Sequence, residues 1–229
     1  MKCYVIEGNY GKPDFADYVF ARAPDHSERI HWNDHEGEWV PDRDMQYEHG
    51  GPMSYGATVN GGRFTEQTRK KLRNLWCVSR SKHARPFNVI KAFDESLVSI
   101  PLISEAFKIA IEAASSDLFE FMLMEQIWDD THKQPIAGGP FFLANLLVRR
   151  DCWDQERTKI VPQKRGDGSF FNVISSSSNV VLRSRIEGDL IWRDTLTMTV
   201  VCTDTFKEIA DAVGCGGWWF REINVTDDR

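Results

Sequence analysis

The sequence has no hydrophobic run long enough to cross a bilayer. Its longest nearly apolar run, residues 141–148, is far shorter than the roughly 20 residues that a transmembrane helix needs. The opening residues, MKCYVIEG, contain no apolar stretch of the length found in secretory signals. The sequence therefore predicts neither a membrane protein nor export by the usual signal.

Cysteine pairs with the spacing of redox or zinc motifs are also absent. The five cysteines are odd in number, widely scattered and never arranged as C-x-x-C. In a chain without an export signal, this usage favours reduced thiols, several of them buried, and a cytoplasmic location. These cysteines are Cys3, Cys77, Cys152, Cys202 and Cys215.

Catalytic signatures are missing as well. There is no G-x-S-x-G elbow and no H-E-x-x-H, and the glycine clusters at 138–140 and 214–217 lack the Walker lysine and the dinucleotide spacing. Cys77 and His83 are close in sequence, but a buried or incidental thiol is favoured over a catalytic one. The sequence predicts a protein that is not an enzyme and needs no cofactor.

One histidine-rich stretch has a composition typical of metal ligands. His31 and His35 flank Asp34 and lie beside Glu36, and one helical face would bring the two imidazoles together. The surrounding Asn, Asp and Gly residues favour a turn, so a solvated loop is the preferred interpretation. A metal-dependent hydrolase using the loop at 26–49 remains an alternative.

What the sequence does have is enough apolar material for a substantial core. Of its 229 residues, 41% are hydrophobic and 27% charged, which suits one large domain or two small ones. Charge is unevenly distributed along the chain: residues 1–60 carry a net charge of −6, residues 61–91 carry +8 and residues 92–229 carry −8. The acidic and basic bands therefore need separate interpretations.

The basic band, residues 61–91, has the composition of a nucleic-acid-binding segment. It includes Trp76 and Phe87, whose rings could stack on bases while the cations contact phosphates. The alternative is a solvated face whose basic residues interact with acidic residues elsewhere in the same chain. The second interpretation is favoured because the chain as a whole is acidic, and nucleic-acid binding is kept as an alternative function.

The first half of the chain is poorly periodic. Residues 1–7 alternate weakly and predict a strand, and short strands are predicted at 17–21 and 37–40. Thr65 can cap a helix that runs to about Cys77. Residues 1–92 are therefore interpreted as an irregular N-terminal region, first acidic and then basic.

The second half contains an internal repeat. Residues 104–113 align without gaps on residues 203–212, and each copy begins with a hydroxyl N-cap followed by a carboxylate, which the helix dipole favours. A β-branched run precedes each copy and an aromatic alternating run follows it. The pattern predicts a strand, a capped helix and a strand, written twice.

Between the copies, residues 141–148 predict a buried strand or a short helix. Residues 190–192 predict a strand, followed by a turn at Arg193 and Asp194. The predicted fold class is α+β: few helices on a mixed or mostly antiparallel sheet, with two strand–helix–strand repeats in a domain at 93–229.

The repeated helix and its following F-x-F or W-W-F strand resemble a known family. Together with the run FFLANLLV at 141–148 and Asp151, they are similar to an immunity-protein family of bacterial polymorphic toxin systems, the family numbered eleven, over about residues 95–225. The resemblance implies a non-catalytic protein that binds and neutralises a cognate protein toxin. The sequence leaves the toxin's identity and the oligomeric state open.

The resemblance also gives the acidic band a role. Proteins that block nuclease toxins benefit from carboxylates, which steer association, and from aromatic anchors, which supply buried contact area. We therefore predict a partner-binding surface in the first band, with an ordinary acidic surface loop as the alternative. Its residues are Trp32, Asp34, Glu36, Glu38 and Trp39.

Overall fold

The protein is described here by a computed structural model. It describes residues 1–8, 18–21, 30–33, 38–41, 62–64, 66, 69, 76–79, 100–136, 139–164, 168, 170–175 and 179–227. The α-helices whose two ends lie within these residues are α1 (Glu105–Ala114) and α2 (Asp204–Ala212), and a 3-10 turn spans Arg183–Arg185.

Strands form most of the remaining regular structure. In the first half these are β1 (Cys3–Gly8), β2 (Tyr18–Ala21), β3 (Ile30–Asn33), β4 (Glu38–Pro41) and β5 (Trp76–Ser79). From residue 100 to 150 they are β6 (Leu102–Ser104), β7 (Phe119–Met124), β8 (Ile127–Asp129), β9 (Gln134–Pro135), β10 (Phe141–Leu146) and β11 (Arg149–Arg150). The last ones are β12 (Ile160–Lys164), β13 (Phe170–Ile174), β14 (Val180–Leu182), β15 (Ile191–Asp194), β16 (Val200–Thr203) and β17 (Trp218–Thr226).

The strands form mixed and antiparallel sheets. The largest has the order β11-β15-β16-β1-β17-β14, with parallel pairs at its two edges and antiparallel pairs between. A second sheet has the order β6-β10-β7, a third the order β2-β5-β8-β9, and β3–β4 and β12–β13 are separate two-stranded sheets. The predicted α+β class is confirmed.

Two strand–helix–strand units share the same connectivity. In the first unit β10 lies between β6 and β7 and is antiparallel to both, and α1 connects the two outer strands. In the second unit β1 lies between β16 and β17 in the same way, and α2 connects them. Each unit therefore takes its middle strand from another part of the chain.

The register of the two units also matches. Phe141 pairs with Ser104 on one side and Met124 on the other. Cys3 occupies the matching place in the second unit, where it pairs with Thr203 and Ile223. The gap-free alignment of the two helices thus extends through the strands that follow them. Superposition of the two units in space stays a prediction.

Both helices begin as their sequences predict. The Ser104 hydroxyl accepts a hydrogen bond from the Phe107 N–H at 3.3 Å, and the Thr203 hydroxyl accepts one from the Phe206 N–H at 3.5 Å. An acidic residue follows each cap, where the helix dipole favours it. Local residue choice therefore fixes both helix starts.

The helices face each other across the main core. Phe107 and Phe206 are both fully buried, with ring centroids 6.4 Å apart, and Trp218 contacts both rings. A second core on the other face of the large sheet is built around the fully buried Trp153 and Trp192. Each face of the large sheet therefore packs against a core.

The first half contributes strands to sheets of the second half. β1 lies inside the large sheet, and β5 pairs with β8 in parallel. The strands predicted near residues 17–21 and 37–40 are β2 and β4. The division of the chain at residue 92 stays a prediction.

The helix predicted to run from Thr65 to about Cys77 is wrong at its C-terminal end. Glu66 and Arg69 are helical, but β5 begins at Trp76. β5 lies between β2 and β8, with Cys77 and Val78 buried, so pairing with distant strands decides the conformation of this segment.

Candidate partner-binding surfaces

Three of the five predicted partner-binding residues lie on two paired strands. β3 and β4 pair in an antiparallel manner, with Trp32 opposite Trp39 and Asn33 opposite Glu38. The structure thus brings Trp32, Glu38 and Trp39 into one two-stranded sheet. Asp34 and Glu36 lie outside the described residues. A partner-binding role for these five residues stays a prediction.

The helix that would bring His31 and His35 together as metal ligands is not formed at His31. His31 lies in β3, opposite Val40, so it is on a strand and not on a helix. His35 lies outside the described residues. Elsewhere in the described part of the chain, no group of three or more His, Cys, Asp or Glu side chains is arranged to hold a metal ion.

The cysteines are all free and buried. Burial raises the pKa of the Cys3 thiol to about 11 and raises the pKa of the Cys77 thiol much further. His83, the suggested partner of Cys77, lies outside the described residues. Because a nucleophilic cysteine needs a lowered pKa and an open site, the observed burial and pKa direction favour a structural role for Cys77.

We expect the native thiols to react very slowly with a thiol reagent at pH 8. A rise in the Cys3 pKa from 9.0 to about 11 lowers its thiolate population on the order of 100-fold, and burial blocks access. Above about pH 9 the unfolded thiols ionise first, so the stability that these groups contribute should fall as the pH rises.

The measurement is the rate of reaction with an aromatic disulfide reagent, with the denatured chain as control. Unfolding midpoints at pH 8 and pH 10 report the linked stability change. One thiol reacting in the native state as fast as in the denatured chain would contradict the burial.

A buried carboxylate holds part of the basic band against the first unit. Glu120 in β7 is 7% exposed and lies opposite Asn145 in β10. It accepts hydrogen bonds from the Phe64 N–H at 2.5 Å, from Asn145 and from Arg69. Asn145 also donates to the Gly62 carbonyl at 2.9 Å. Arg69 thus forms an ion pair with an acidic residue of its own chain. For this residue, the contact supports pairing within the chain over nucleic-acid binding.

A second buried carboxylate, Asp194, organises the turn after β15. It is completely buried and accepts hydrogen bonds from the backbone N–H groups of Cys152, Leu196 and Thr197. The Thr197 hydroxyl also donates to it, and that hydroxyl accepts a bond from the Trp153 indole at 3.0 Å. This network joins two chain segments, residues 152–153 and 194–197, within the second core, and the carboxylate has no opening to solvent.

An open cleft lies beside the β12–β13 hairpin. Its volume is about 580 Å³ and its lining is mostly polar. The lining contains Glu156, Arg157 and Lys159 but no His or Cys. Its charged rim could contact another molecule. The lining residues are Gln155, Glu156, Arg157, Thr158, Lys159, Ile160, Asn172 and Leu196.

One end of the large sheet exposes a tryptophan. Trp219 in β17 is 55% exposed, and it lies opposite Glu7 in β1. The Glu7 carboxylate accepts a hydrogen bond from the Arg221 guanidinium at 2.9 Å, and both side chains are about one quarter exposed. Sequence analysis did not single out these residues. The repeat alignment places Trp219 at the position of Glu120, but which of the two is covered depends on contacts with distant segments.

The chain was compared with protein families and with curated proteins. The chain matches the model of the immunity protein family (Imm11) over residues 20–225, which is most of its length. It therefore belongs to this immunity protein family. No curated protein matches the chain.

The match confirms the resemblance found from the sequence and corrects its extent. The resemblance began near residue 95, whereas the family match starts at residue 20. The family therefore includes β3, β4 and the basic band, which sequence analysis left without a match. Membership implies a toxin partner in general terms. Among the described residues, neither α-helix is long and apolar enough to cross a membrane.

Proposed function

We propose that this chain is a non-catalytic immunity protein that binds and neutralises a cognate bacterial toxin in the cytosol of the cell that makes it. The single observation that carries the proposal is the family match over residues 20–225. Five free, buried cysteines agree with a reducing compartment, and the raised pKa values of Cys3 and Cys77 argue against catalysis by these two thiols.

We propose strands β3 and β4, together with Asp34 and Glu36, as part of the toxin-binding surface. The support is the net charge of −6 within residues 1–60 and the cross-strand placement of Trp32 and Trp39. Carboxylates at this place would increase the association rate with a basic toxin surface, and tryptophan is enriched among residues that dominate binding energy.

The test of the function is co-expression with the toxin encoded by the adjacent gene. The parent protein should restore growth and co-purify with the toxin. A parent that neither protects nor binds would overturn the immunity function, and the basic band at 61–91 would become the next surface to examine.

The test of the hairpin is a charge reversal of Asp34, Glu36 and Glu38 together. It should slow association and weaken its salt dependence while leaving the fold intact, because these charges act at long range. Trp32→Ala or Trp39→Ala should mainly raise the dissociation rate, by about 30-fold, which corresponds to a loss of roughly 2 kcal/mol in binding free energy. Both rates can be measured by surface-based kinetics at several salt concentrations.

A matched control reverses three exposed glutamates that lie elsewhere. Glu125, Glu187 and Glu208 give the same change in net charge, and all three are exposed. The control variant should associate with the toxin faster than the hairpin variant. A hairpin variant that associates and protects like the parent would show that this surface is the wrong one.

A further inference from the structure

The two strand–helix–strand units differ in how their helix-free faces are covered. In the first unit, Asn145 and Glu120 form a cross-strand pair on the face opposite the helices, since their neighbours Ala144 and Phe119 face the main core. Residues 62–64 and Arg69 of the same chain cover this pair. They contribute the Gly62 carbonyl, the Phe64 N–H and the Arg69 guanidinium.

The corresponding pair of the second unit is open. Matching registers place Glu7 where the first unit has Asn145 and Trp219 where it has Glu120. Ile6 and Trp218 face the main core, so Glu7 and Trp219 lie on the helix-free face. Trp219 is 55% exposed, whereas Glu120 is 7% exposed. The same position is thus covered by the chain in one unit and exposed in the other.

The covered position indicates the chemistry that suits the open one. The segment over the first unit brings an arginine to a sheet carboxylate, and that guanidinium lies 5.9 Å from the Phe64 ring centroid. In the second unit the carboxylate and the aromatic ring are both on the sheet, as Glu7 and Trp219. An incoming arginine could stack on the indole and bind the carboxylate that Arg221 now holds.

We propose that Glu7 and Trp219 form a docking site for an arginine-bearing segment of the cognate toxin, whose guanidinium approaches Glu7 as that of Arg69 approaches Glu120. This proposal rests on the proposed immunity function. The overall charge of −6 favours a cationic segment over an acidic one. Tryptophan and arginine are also the residue types that most often dominate binding energy at interfaces.

The experiment measures binding of a catalytically inactive form of the adjacent toxin by titration calorimetry. Trp219→Ala should raise the Kd at least tenfold, and Trp219→Phe should recover part of the loss because a ring remains. Glu7→Gln should raise the Kd several-fold and reduce its salt dependence. Phe170→Ala is the matched control, since Phe170 is 67% exposed on the separate β12–β13 sheet and should leave the Kd unchanged.

Hydrogen exchange of the parent complex gives a second measurement that needs no variant. Toxin binding should slow exchange in peptides that contain residues 218–223. A parent that does not bind the toxin would overturn the proposed function and this site with it. A parent that binds, with unchanged Kd for Trp219→Ala and no protection at 218–223, would overturn the site alone. Toxin-independent dimerisation that Trp219→Ala abolishes would assign the surface to a second copy of the chain and also overturn the proposal.

Discussion

Phe107→Ala and Phe206→Ala should each lower the free energy of unfolding by about 3–5 kcal/mol. Both rings are fully buried, and each contacts Trp218 as well as the other ring. Truncation would remove the apolar contacts of a complete ring and leave a cavity that the two helices and their sheets cannot close. Equilibrium unfolding in urea, followed by tryptophan fluorescence and circular dichroism, measures the loss.

The double variant tests whether the two rings act as one core. Because the ring centroids are 6.4 Å apart, the two losses should not add, and the coupling energy should be about 0.5–3 kcal/mol. Ile109→Ala is the control, since Ile109 is 58% exposed on α1 and should change stability by less than about 0.5 kcal/mol. A loss below 1 kcal/mol at either phenylalanine would contradict a shared core.

The sequence predicted both helices because their signals are local. A hydroxyl cap, a following carboxylate and an inward-facing phenylalanine lie within four residues of each other at both starts. Such signals act within one turn of a helix and do not depend on the rest of the chain. The strands after the helices were predictable for a similar reason, since their aromatic alternation is a short-range pattern.

The strand order could not be predicted from the sequence. β1 lies between β16 and β17, although most of the chain separates it from both. Its short alternating pattern shows that a strand is present but does not specify a partner. Trp76 shows the same limit. The local pattern places it in the predicted helix, but in the structure it belongs to β5, which pairs with β2 and β8.

The buried carboxylates were missed because their partners are distant in sequence. Glu120 looked like the polar position of an alternating strand, and its partners Phe64 and Arg69 come from the basic band. A turn was predicted at Arg193 and Asp194 because Asp is common in turns. Both residues instead end β15, and the turn follows them. The acidic and aromatic composition of β3–β4 was visible in the sequence, whereas the exposure of Trp219 depends on which segment covers which sheet.

Asp194→Ala should destabilise the protein by roughly 3–5 kcal/mol, because it would leave several buried donors without an acceptor. The lost bonds come from the N–H groups of Cys152 at 3.1 Å, Leu196 at 3.0 Å and Thr197 at 2.8 Å. The Thr197 hydroxyl loses its bond to the carboxylate and retains Thr199 Oγ1 as an acceptor at 3.0 Å, which changes the orientation that receives the Trp153 indole. The effect should therefore reach the second core.

Asp194→Asn separates the loss of charge from the loss of shape. The amide oxygen can keep the bonds from Leu196 and Thr197, but the amide nitrogen would then face the Cys152 N–H, donor against donor. The free energy of unfolding of Asp194→Asn should therefore lie between that of the parent and that of Asp194→Ala.

Asp189→Ala is the matched control for Asp194. Its carboxylate pairs with the Arg150 side chain at 2.6 Å, and that arginine is substantially exposed. The Asp189 side chain is 12% exposed and the pair is bidentate, but it opens to solvent at the arginine, so the loss should be on the order of 1 kcal/mol. Urea midpoints give all three values, and near-ultraviolet circular dichroism reports the environment of Trp153. If Asp194→Ala unfolds within 1 kcal/mol of Asp189→Ala, the donors around Asp194 must find acceptors elsewhere, and the carboxylate does not organise the second core.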